Sequence, residues 1–143
     1  MVEEHGSYFK YMSQSDREEL LKKLKNYLEV QQEIIFAYVF GSFASEMPFQ
    51  DIDLALYVEL ENFEQTRELE NKYADLLGME LNENFHVIVV NNAPSAVLCS
   101  IFSEGRKLIS RDENLLEKYI ERCSLDMLAN ENIAHESLRE IVQ

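Results

Sequence analysis

Basic residues are scarce in this 143-residue chain: 13 Lys and Arg stand against 27 Asp and Glu, a formal charge of −14. Binding a polyanion depends on Lys and Arg neutralising its phosphates, so long nucleic acids are disfavoured as substrates. A single nucleotide is not, because a divalent cation offsets its charge. The surplus of acid either serves solubility alone or draws in a basic protein partner or a cationic small molecule over distance. Cysteine is nearly absent, and Cys99 and Cys123 both fall at apolar positions of helical patterns. They read as buried thiols, not as a disulfide framework or a metal site. The longest apolar run, Ile34 to Phe40, is far short of the roughly 20 residues that span a bilayer. No signal-peptide pattern is evident, so the expectation is a cytoplasmic protein with no membrane contact. With two prolines and four glycines there is no linker, low-complexity segment or repeat. Hydrophobic content of 46% indicates a globular chain with a real core.

One of the few glycines stands where the longest apolar run stops. Ile34 to Phe40 ends in Gly41-Ser42, and after a polar connection comes Asp51-Ile52-Asp53-Leu54-Ala55-Leu56-Tyr57-Val58. Ile52, Leu54, Leu56 and Val58 fall on one side of an extended chain; Asp51, Asp53, Ala55 and Tyr57 fall on the other. This is the period-two pattern of a strand with one face in a core. Asp51 and Asp53 therefore project side by side and repel each other. A divalent cation removes the repulsion. Mg²⁺ takes oxygen ligands, commonly one or two carboxylates with water and phosphate oxygens, so the pair suits a metal that arrives with a nucleotide. Glycine at 41 lets the backbone approach a phosphate, and the Ser42 hydroxyl with nearby N–H groups can bond its oxygens. Taken singly, each piece also fits a polar loop and an edge strand with two solvated aspartates. The order of strand, Gly-Ser, short connection and Asp-x-Asp strand is far more specific.

Gly41-Ser42 followed by Asp51-Ile52-Asp53 resembles the signature of the DNA polymerase β-like nucleotidyltransferase superfamily, and the small size points to its minimal nucleotidyltransferases (MNT). Val87 to Pro94, with the amphipathic segment running to Gly105 and Leu108, is similar to that group's third strand and following helix. The resemblance covers residues 34–109. It implies an α/β nucleotidyltransferase fold, a small mixed β-sheet packed by helices, with Asp51 and Asp53 as catalytic metal ligands, Gly41 and Ser42 as nucleotide-binding residues, Mg²⁺ as cofactor and ATP as substrate. It further implies an antitoxin paired with a basic HEPN-domain toxin, some members of the group transferring AMP from ATP to a tyrosine of the toxin. An impaired relative would instead neutralise the toxin by binding alone. Transfer to a small cationic acceptor, such as an aminoglycoside, is a third reading, disfavoured because so short a chain leaves little for an acceptor-binding domain. Homo- and hetero-oligomers both remain open.

Three positions depart from the family's pattern. Only eight residues, Phe43 to Gln50, separate Gly-Ser from the first aspartate, with neither a basic residue nor a second glycine among them. Gln50 stands where a serine is usual. Aligning on Asn91-Asn92-Ala93-Pro94 puts His86 where the superfamily places a third carboxylate, which binds metal and takes the proton of the attacking hydroxyl. By alternation His86 shares a strand face with Ile88 and Val90, opposite Phe85, Val87 and Val89. It is either a hydrogen-bonded structural residue or a catalytic one, since a neutral imidazole can act as base or ligand near pH 7. Glu83, in the preceding turn, is a poorer candidate for the missing carboxylate. His5, His86 and His135 lack metal-ligand spacing with each other or with the cysteines. No serine-hydrolase elbow, Walker loop or dinucleotide fingerprint occurs.

The remaining elements follow from periodicity. Residues 1–14 read as an N-terminal tail carrying His5, Tyr8, Phe9 and Tyr11, and 15–143 as a single domain with a C-terminal helical segment. Ser15 to Glu18 predicts a capping box, opening a helix with Leu20, Leu21, Leu24, Tyr27 and Leu28 inward. Ile34 to Phe40, apolar on both faces, is expected at the centre of a sheet. Asn62 is expected to open a second helix, with Phe63, Thr66, Leu69, Tyr73, Leu76 and Leu77 on one side and Gly78 as its stop. Phe85 to Val90 reads as a third strand. A short helix from Pro94 to Gly105 turns Val97, Leu98, Ile101 and Phe102 inward. Arg106 to Ser110 reads as a brief edge strand. A last helix runs from Asp112 through Leu115, Leu116, Tyr119, Ile120, Cys123 and Met127, with an interruption expected at Asn130-Glu131-Asn132 before Ile133, Leu138 and Ile141.

Overall fold

The structure, a computed structural model, describes residues 9–60 and 65–142, with side chains as far as residue 129. The expectations for His5, Tyr8, Asn62 and Phe63, and for the side chains of Ile133, His135, Leu138 and Ile141, lie outside the described residues. In chain order the elements are α1 (Gln14–Glu29), β1 (Ile34–Phe40), α2 (Gly41–Ala44), β2 (Ile52–Val58), α3 (Thr66–Leu81), β3 (Phe85–Val89), α4 (Ser95–Glu104), β4 (Arg106–Ser110) and α5 (Glu113–Val142). Four strands form one mixed sheet in the order β3-β2-β1-β4. β1 is antiparallel to both of its neighbours, whereas β2 and β3 are parallel and joined through α3.

Two apolar layers cover the sheet. Ile52, Leu54, Leu56 and Val58 of β2 pack with Leu20, Leu21, Leu24 and Leu28 of α1 and with Tyr73 and Leu77 of α3. On the other face Phe36, Tyr38 and Ala55 meet Leu98, Cys99 and Ile101 of α4 and Leu116 and Cys123 of α5. β1 is apolar throughout because it is central and touches both layers. A register shift between Ile34 and Phe36 puts Ile34 in the first layer and Ile35 and Phe36 in the second. An isolated helix of α1's length is marginal in water, so its four leucines, each contributing about 1.5–3 kcal/mol on burial, hold it in place. No helix among the described residues is long and apolar enough to cross a membrane.

Several boundaries differ from expectation. α1 is capped by Ser13, whose hydroxyl accepts from the Asp16 N–H at 3.2 Å, and not by Ser15, which lies inside the first turn. α3 passes through Gly78 to Leu81 and ends on Asn82 in the left-handed conformation, φ 55° and ψ 43°, whose N–H reaches back to the Gly78 carbonyl. Asparagine tolerates that conformation, so a glycine stop is not required. Val97 and Leu76, expected inward, are 40% and 36% exposed. α5 continues past Asn130-Glu131-Asn132 without the expected break. Arg111 ties the far end of β1 to α1, donating to the carbonyls of Leu28, Glu29, Gln31 and Ile34.

Candidate active site

Gly41 begins α2 directly after β1, with φ +75°. An L-residue with a side chain is strained there. A Cβ at this position would also run into the Asp53 carboxylate. The glycine turn and the aspartate therefore share one small volume. The cause is register: Asp53 lies opposite Phe40, the last residue of β1, on one side and opposite His86 of β3 on the other. Ile52 between the two aspartates is fully buried, which fixes the strand's facing and turns Asp51 and Asp53 to the α4/α5 side of the sheet. Asp51 and Ser42 are exposed, and Asp53 is partly covered.

His86 follows the expected alternation, exposed between buried Phe85 and Val87. Its Nδ1 lies 3.1 Å from Asp53 Oδ1, with side-chain exposures of 61% and 28%. The chain thus brings Gly41, Ser42, Asp51, Asp53 and His86 to the same end of the sheet. Glu83 is engaged elsewhere, its carboxylate 2.6 Å from Lys10 Nζ. No group of three or more His, Cys, Asp and Glu among the described residues is arranged to enclose a metal ion. A donor set of two carboxylates suits Mg²⁺ that retains waters and takes phosphate oxygens as further ligands, and does not suit a metal caged by protein alone. A cavity of about 730 Å³ opens near the other end of β2 around Tyr57, Asn91, Tyr119 and Arg122. Tyr57 lies four steps along the strand from Asp53, about 13 Å.

The sequence profile of the polymerase beta nucleotidyltransferase family matches residues 22–114, well over half of the chain. The chain belongs to that family. The nucleotidyltransferase fold also recurs in solved structures. One similar chain comes from the tri-AMPylated Shewanella oneidensis HEPN toxin in complex with MNT antitoxin, with a TM-score of 0.58 and 16% identity over 88% of this chain and 98% of that one. Another comes from a toxin–antitoxin crystal structure with AMP-PNP, also at 0.58 and 16% identity, over 84% and 97%. A third is from the toxin–antitoxin MntA–HepT, at 0.52 and 16% over 91% and 98%. At these identities the likeness is one of fold. No curated protein sequence matches the chain significantly.

Arg17 escaped the sequence reading of this nucleotidyltransferase domain. It is 2% exposed and donates to the Phe43 and Met47 carbonyls in the connection between Gly41-Ser42 and Asp51. Its signal is a charge on the apolar side of a helix, in phase with Leu20, Leu21, Leu24 and Leu28.

Proposed function

We propose that this chain is the antitoxin of a HEPN/MNT pair and transfers AMP from Mg²⁺-ATP to a hydroxyl of its HEPN partner, a tyrosine foremost. The observation that carries the reading is the register that brings Asp53 between the end of β1, where Gly41 turns against its carboxylate, and His86 of β3. The family membership supports the chemistry. The fold shared with chains of toxin–antitoxin complexes, one containing a tri-AMPylated HEPN toxin and another AMP-PNP, supports the partner and the nucleotide.

Asp51 and Asp53 would hold Mg²⁺, which when bound offsets the charge of the nucleotide's phosphates. Gly41 leaves the backbone open to close approach, and the Ser42 hydroxyl bonds phosphate oxygen. The acceptor oxygen attacks the α-phosphorus, the new O–P bond forms as the bond to the bridging oxygen breaks, and pyrophosphate leaves. His86, with Nδ1 toward Asp53, presents Nε2 to take the acceptor's proton.

A second reading has its own observation. His86 gives the site two carboxylates where the superfamily's pattern has three, and its hydrogen bond occupies one Asp53 oxygen. On that reading the chain neutralises the HEPN partner by covering it. Incubating the purified chain with Mg²⁺, labelled ATP and the product of the adjacent gene separates the two. Transfer predicts a mass gain of one or more AMP units on the partner, lost when Asp51 and Asp53 are both replaced by Asn. A tight complex with no mass gain by the wild-type chain establishes neutralisation by binding.

A further inference from the structure

A buried guanidinium is costly unless its donors are satisfied and its charge is compensated. The hydrogen-bond partners of Arg17 among the described residues are all backbone carbonyls: Nε to Met12 at 2.8 Å, Nη1 to Phe43 at 2.7 Å and Nη2 to Met47 at 2.8 Å. Its guanidinium stands 5.3 Å from the ring centres of both Phe43 and Phe49, which stack edge-to-face at 5.0 Å. Cation–π attraction supplies part of the compensation.

The two carbonyls from Phe43 and Met47 belong to the connection that follows β1. Within it the Ser45 N–H bonds the Gly41 carbonyl at 3.1 Å, Met47 bonds Ser42 at 3.0 Å, and Glu46 bonds Phe43 at 3.2 Å. Glu46 adopts φ 63°, a conformation that costs energy in a residue with a side chain and persists only where its surroundings hold it. Arg17 is the group that grips both sides of this turn. Its planar fork reaches two carbonyls in a fixed relation, which the point charge of a lysine cannot reproduce.

We propose that Arg17 is a positioning residue for nucleotide binding: by holding the Phe43 and Met47 carbonyls it fixes the orientation of Gly41 and Ser42 toward phosphate and the path of the chain into Asp51. This rests on the nucleotidyltransferase reading above. Arg111 provides the control. It too satisfies backbone carbonyls, but at the other end of β1, so Arg111→Lys disturbs the fold by the same chemistry away from the site.

The test uses the full chain as wild type, Arg17→Lys, Arg17→Met and Arg111→Lys. It measures Mg²⁺-dependent affinity for AMP-PNP by calorimetry, together with amide exchange at Ser45, Glu46 and Met47. Both Arg17 variants are expected to bind at least about tenfold more weakly, the scale of one lost charged hydrogen bond, with exchange at the three amides accelerated at least as much. Arg111→Lys is expected to unfold more readily yet bind as the wild type does. If Arg17→Met fails to fold, Arg17→Lys carries the test, because it keeps the charge and the stem. Wild-type affinity in an Arg17 variant overturns the proposal, and so does an equal loss in Arg111→Lys, which would make the effect a global one. No binding by the wild type overturns the nucleotide reading itself, and the exchange rates still decide whether Arg17 holds the turn.

Discussion

Two demands meet at Gly41. Its φ of +75° calls for glycine on backbone grounds, and the Asp53 carboxylate occupies the space that any Cβ would take. His86 poses the opposite question, because nothing in the packing requires it. The ring is mostly exposed, and its contact to Asp53 is a half-solvated one, of the kind that adds little to stability. Changing it therefore tests chemistry with small risk to the fold. His86→Ala is expected to lower AMP transfer by about 10²–10³, the usual contribution of a positioned base, with ATP affinity unchanged in equilibrium binding. His86→Asp is expected to tighten Mg²⁺-dependent nucleotide binding by adding a third anionic ligand. If His86→Ala transfers AMP at the wild-type rate, the imidazole is structural, and the proton goes elsewhere.

At the scale of elements, legibility in the sequence tracked how local the cause is. β1 occupies Ile34–Phe40, and β2 faces as expected, because alternation is written into consecutive residues and a one-residue slip would expose Ile52 and Leu54. Helix ends were harder to read. Ser13 and Ser15 are both competent caps, and the pattern of residue types does not choose between them; Ser13 serves, beside a Met12 carbonyl held by Arg17. The turn after β1 was visible as Gly-Ser, but its hold by Arg17 spans 26 and 30 residues and was not. The joint between β2 and α5 is also non-local, and it has a measurable consequence. Tyr57 stacks on Phe36 at 4.9 Å and meets the Tyr119 hydroxyl at 3.2 Å. Burial first, and then that hydroxyl, push Tyr57 up from 10.0 to about 12. An unfolded tyrosine ionises near pH 10. Between about pH 10 and 12 the unfolded chain therefore loses this proton while the folded chain keeps it, and stability falls as pH rises. Below pH 10 the contribution is fully present. Tyr57→Phe is expected to show a smaller drop in urea midpoint between pH 9 and pH 11 than the wild type. Equal drops would assign the alkaline loss to Tyr38, Tyr73 and Cys123, which burial also raises.

For the whole molecule the governing quantity is charge. Several of the scarce cations are committed: Lys10 to Glu83, Lys72 to Glu33, Arg106 to Glu18 and Lys107 to Glu113, with Arg17 and Arg111 turned to backbone carbonyls. Most of the 27 acids thus act together as a net negative field and not as pairs. Such a field does little for the affinity of a formed complex but speeds encounter with a basic partner, and salt removes it beyond a screening length of about 8 Å at physiological ionic strength. If the HEPN partner is basic, as the proposed function expects, stopped-flow association should slow by about tenfold or more from low to high salt, while dissociation changes little. Replacing exposed glutamates on α1, such as Glu19, with Gln should then reduce the slope only in part, because many charges share the attraction. An association rate independent of salt would mean that the surplus acid keeps the chain soluble and has no part in finding its partner.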